Sequence, residues 1–99
     1  MKSITEETRS ILLEFQRTEI TEHAIYSALA GRLKGPNRDL FRRIAEDEKR
    51  HASVWERYTG VSLSPDRWKV VLFVLLAMVM GITFAIKLME KGEERAEKN

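Results

Sequence analysis

The chain has no cysteine among its 99 residues, which excludes disulfides, iron–sulfur clusters and any metal site built from thiolates. Absence of cysteine is compatible with a reducing cytosol, and a cytoplasmic location is the expectation. Prolines number two and glycines five, too few for a loop-rich or low-complexity chain. Neither sign of charge dominates: the net charge is +2, with acids and bases interspersed, which argues against a nucleic-acid-binding platform. Met1 to Arg9 is polar and lacks the apolar stretch of a secretory signal. At this length the expectation is one small domain with a modest core, one that relies on partners.

What is present is helical periodicity interrupted by acids. Phe41, Ile44, Glu48, His51, Trp55 and Tyr58 recur at steps of three and four, so Glu48 and His51 share one face of a helix and are expected to point inward. Glu-x-x-His is a metal-chelating pair, and a carboxylate on an apolar stripe is costly unless something neutralises it. An ordinary ion-paired face with a satisfied histidine would give the same short pattern. An earlier segment repeats the peculiarity, however: Leu12, Phe15, Glu19, Glu22, Tyr26, Leu29 and Leu33 place two glutamates, Glu19 and Glu22, on its stripe.

Punctuation divides the chain. A helix is predicted from near Ser3, which is spaced for a capping box with Glu6, to about Leu33. Lys34-Gly35-Pro36 forces a reversal, and a second helix runs from about Asn37 to Tyr58. Ser64-Pro65 then starts a third helix with no stop before the charged tail at 93–99, apart from Gly81 in its middle. The expected organisation is a helical hairpin over 1–60, then a linker and long third helix over 61–99. Val70 to Ile86 is seventeen residues without a charge, with Trp68, Lys69 and Lys87 beside it as interfacial anchors. It reads as a bilayer span or as a helix buried on all sides within an oligomer.

The motifs resemble a known family. Glu19 stands seven residues before Tyr26, and Glu48-Lys49-Arg50-His51 lies inside Ala-Glu-Asp-Glu-Lys-Arg-His-Ala at 45–52. Together they look like the first two helices of the rubrerythrin branch of ferritin-like proteins. Gly92-Glu93-Glu94-Arg95-Ala96 resembles the Gly-Glu-x-x-Ala that opens ligand-bearing helices there, with Glu93 matching Glu19. Leu88 to Glu93 is similar to ferritin-like domains joined to vacuolar-type iron transporters. Glu90 and Glu94 read as a solvated helix end.

The resemblance implies an all-α, ferritin-like fold and a di-iron centre that oxidises ferrous iron with dioxygen or peroxide. Its metal residues would be Glu19, Glu48, His51, Glu22 and Glu93, with Glu19, Glu48 and His51 carrying the activity. Manganese or zinc are substitutes for iron that such a donor set admits. The family's second Glu-x-x-His has no counterpart in this sequence. The expected remedy is a homodimer or higher oligomer, in which two hairpins complete a four-helix bundle around a shared site. A membrane-anchored iron-binding module serving a transporter is the alternative, and a metal-free oligomerisation bundle is a third. His23, off the stripe, reads as a surface histidine, and Tyr26 and Tyr58 read as core tyrosines.

Overall fold

The computed structural model describes residues 5–98, with side chains through Gly92. The chain is all-α: α1 (Glu6–Ala30), α2 (Pro36–Thr59), α3 (Arg67–Met80) and α4 (Ile82–Lys98), with no strand among the described residues. Ser3, the expected first cap, lies outside them. Thr5 performs that role, its hydroxyl accepting a hydrogen bond from the Thr8 amide at 3.1 Å. The helix closes three residues before Leu33 because Gly31, Arg32 and Leu33 donate back to Ser27, Leu29 and Ala30, tightening the final turn.

Gly35 stands at φ +67°, a region only glycine enters freely, and its carbonyl receives the amides of Arg38 and Asp39. Pro36 follows at the first helical position, where its missing N–H costs nothing. The resulting hairpin is antiparallel. Arg9 and Gln16 of α1 reach the end of α2 at Thr59 and Val61, His23 meets Ala45, and Tyr26 meets Phe41.

Polar contacts then set where the chain returns. Gln16, 2% exposed, donates from Nε2 to the Val61 carbonyl at 2.7 Å and accepts the Thr59 hydroxyl at 2.7 Å. One turn further along α1, the buried Thr21 hydroxyl accepts the Asp66 amide at 2.9 Å. Asp66, not Ser64, caps α3, with its carboxylate accepting the Lys69 amide at 3.2 Å. From that anchor α3 lies along the second half of α1.

The expected uninterrupted third helix does not form. Gly81, at φ +99° and ψ 152°, breaks it, and α4 packs back on α3. Folding back brings Ala85 and Met89 into a core with Ile25, Leu29 and Ala30 of α1, Phe41 of α2, and Phe73 and Ala77 of α3. Each large side chain buried there contributes about 1.5–3 kcal/mol, which a straight helix would forgo for α4. The alternative of a bilayer span through 70–86 finds no helix to carry it: among the described residues none is long and apolar enough to cross a membrane.

Gly81→Ala is expected to destabilise the fold by about 1–3 kcal/mol, since its dihedrals belong to a region closed to residues with a Cβ. Gly92→Ala, helical with nothing near the added carbon, should be neutral or stabilising by about 0.5–1 kcal/mol. Paired urea denaturation curves check both.

Candidate metal centre

The two segments singled out by their acids meet midway along the hairpin. On α2, His51 Nδ1 lies 3.3 Å from Glu48 Oε1, as the three-residue spacing requires. Glu48 is mostly covered, at 17% side-chain exposure, but His51 is 58% exposed. Glu19 projects from α1 toward the same region and is half-buried, and it lines one open depression with His51, Val54 and Trp55. Glu22, a turn deeper, is only 5% exposed. Glu93 lies in α4, with its side chain outside the described residues.

The inward orientation expected of His51 is therefore not realised within this chain. Its physical cause is the distribution of helices: α2 packs chiefly on α1, while α3 and α4 gather at the other half of the hairpin. Nothing described in the chain lies over the Glu19 and His51 face. The same explanation covers Tyr58, expected in a core but 57% exposed. Ile11, Phe15 and Val54 are about as open, so apolar side chains rim the two ligand-type residues. Three aromatics form a chain along this rim, with Phe15 and Trp55 centroids 6.0 Å apart and Trp55 and Tyr58 6.5 Å apart. Tyr26 behaves as a core tyrosine, edge-on to Phe41 at 5.6 Å.

His23 is not the surface group that its stripe position suggested. Its Nδ1 donates to the Ala45 carbonyl across the hairpin at 2.7 Å. That carbonyl lies four residues behind Lys49, so the bond adds a crosslink between helices to an acceptor already inside the α2 ladder. A hint was present in sequence, because Gln16 and His23 are seven apart and form a second, polar stripe beside the acidic one. Val54 was missed for a simpler reason: a β-branched residue between Glu48 and Tyr58 carries no chemical signal of its own.

Carboxylate oxygens and an imidazole nitrogen are donors suited to iron, and equally to manganese or zinc. Among the described residues, however, no group of three or more His, Asp or Glu side chains converges closely enough to hold an ion. The described residues thus present part of a donor set, on a face rimmed by apolar groups, and fit a metal in kind but not, among themselves, in number.

His23→Ala should cost about 1–2 kcal/mol of stability through the lost bond to Ala45, with iron binding per folded chain unchanged. Thermal unfolding beside iron titration checks the separation, which a ligand role for His23 would not allow.

Comparison with family models matches residues 11–98 to the rubrerythrin family, from the first turns of α1 to the end of α4. No curated protein and no solved structure matches the chain. The match covers the hairpin, the acidic stripes and the α3–α4 pair together, and the chain belongs to the rubrerythrin family.

Proposed function

We propose that the chain is a di-iron carboxylate protein that oxidises ferrous iron, with dioxygen or peroxide as oxidant, at a site shared between two copies. The observation that carries this reading is the partial donor set on an open, apolar-rimmed face: Glu48 and His51 in contact, Glu19 across the hairpin beside them. A second copy related by a two-fold axis doubles it to four carboxylates and two imidazoles. That is the complement di-iron bundles draw from four helices.

Bound iron would supply one-electron chemistry between its ferrous and ferric states. The chain's residues do the rest. Carboxylates from Glu19 and Glu48 favour the higher charge of the oxidised product, and His51 adds a nitrogen donor held by its contact with Glu48. Glu22, buried one turn below Glu19, adds a further carboxyl group beneath the site. Phe15, Val54, Trp55 and Tyr58, once covered by the second copy, exclude water and retain reactive oxidant products. In this reading Glu93, on α4, is a further donor.

Glu19→Ala, Glu48→Ala and His51→Ala are each expected to lower ferrous iron oxidation at least tenfold, non-additively, because each leaves the others under-coordinated. Glu22→Ala should slow turnover without abolishing binding. Optical assay of oxidation on folded variants decides: parental rates in all of the first three would sink the proposal.

Dimerisation and metal loading should be linked. Removal of iron with a chelator is expected to weaken the dimer and lower its melting temperature, as for any ligand bound only by the assembled state. A monomer with a full two-iron complement in sedimentation and metal analysis would rule out the shared site.

A further inference from the structure

A second apolar surface lies away from the acidic face and has no part in the reading above. Trp68, Val71, Leu72, Leu75, Met78 and Val79 lie along one side of α3, from half to nearly fully exposed. The opposite side supplies Phe73 and Ala77 to the core, so the helix is apolar all round but covered on only one side. Trp68 and Val79 are 84% and 79% exposed, an unusual state for two apolar side chains on one helix face.

The spacing of the face identifies what covers it. Positions 68, 72, 75 and 79 follow steps of four, three and four, the seam of a helix that packs against another helix. They are symmetric about the middle of α3. In an antiparallel pair of identical helices, Trp68 of each copy falls opposite Val79 of the other and Leu72 opposite Leu75. The larger side chain thereby meets a smaller one at both ends, and a shallow, mostly apolar recess beside Trp68, lined by Val71, Leu72 and Leu75 with Asp66 and Lys69, receives the incoming group.

Charge agrees with that direction. Arg67 and Lys69 occupy the first turn of α3, where a helix dipole disfavours cations, with the capping carboxylate of Asp66 as the acid beside them. An antiparallel partner brings them to its own carbonyl-rich end, whereas a parallel partner would set like charges together. The six side chains expose on the order of 700 Å², near the roughly 800 Å² per partner of a standard interface. A lipid-facing helix would need neither the four-three-four seam nor complementary pairing across its midpoint.

We propose that this face of α3 pairs antiparallel with the same face of a second copy, forming a two-fold interface separate from the one that completes the metal site. A chain using both has two distinct two-fold contacts and closes as a tetramer when their axes are perpendicular.

The absence of native cysteine makes the test direct. Trp68→Cys/Val79→Cys, in the full chain under mild oxidant, is expected to give a covalent dimer at high yield. Each single variant should give little, since positions 68 and 79 are about 16 Å apart along the helix and like positions do not meet. Leu72→Glu should reduce the assembly mass by sedimentation, with helical content and iron binding per chain retained. That retention separates this interface from the shared metal site. Crosslinking by Trp68→Cys alone, an unchanged mass for Leu72→Glu, or a chain that stays free of self-association through α3 and binds lipid vesicles instead would overturn the proposal.

Discussion

The arrangement depends on how α1 catches the chain after α2. A buried amide, Gln16, holds the Thr59 hydroxyl and the Val61 carbonyl, and Thr21 holds the Asp66 amide a turn later. Buried polar groups are costly when unpaired, so these contacts admit few alternatives for the connection. They start α3 halfway along α1, and everything apolar that follows is delivered to the second half of the hairpin. The first half, with Glu19 and His51, is left open as a direct result.

That division explains why core and candidate chemistry are separated in space. Ile25, Leu29, Phe41, Phe73, Ala85 and Met89 form a compact stabilising cluster at one end. The donors lie midway along the same two helices, beyond that cluster, where a carboxylate and an imidazole can remain accessible without disturbing it. The acidic stripe runs from one region into the other, and the burial of Glu22 beside the more open Glu19 marks the boundary between them.

The hairpin was legible in sequence because its signals are local. Gly35-Pro36 and Gly60 punctuate it, and the three-and-four stripes give its faces. The break at Gly81 was not, since one glycine within an apolar run is compatible with a continuous helix, and only the burial of Ala85 and Met89 favours bending there. Glu48 and His51 were legible as a pair, their spacing being intrahelical. The exposure of His51 was not, because it depends on where two later helices end up. His23 was misjudged for a related reason: periodicity describes faces of one helix and says nothing of a carbonyl presented by another.

The two indoles sit in very different surroundings, Trp55 against Phe15 near the acidic depression and Trp68 almost bare on α3. Indole emission follows the polarity of its environment, so the chain carries two intrinsic optical labels, one on each apolar face. Events at one face alter one emission band and leave the other as a reference. With no further indole in the sequence, a change of surroundings at either surface can be followed separately without attaching any dye.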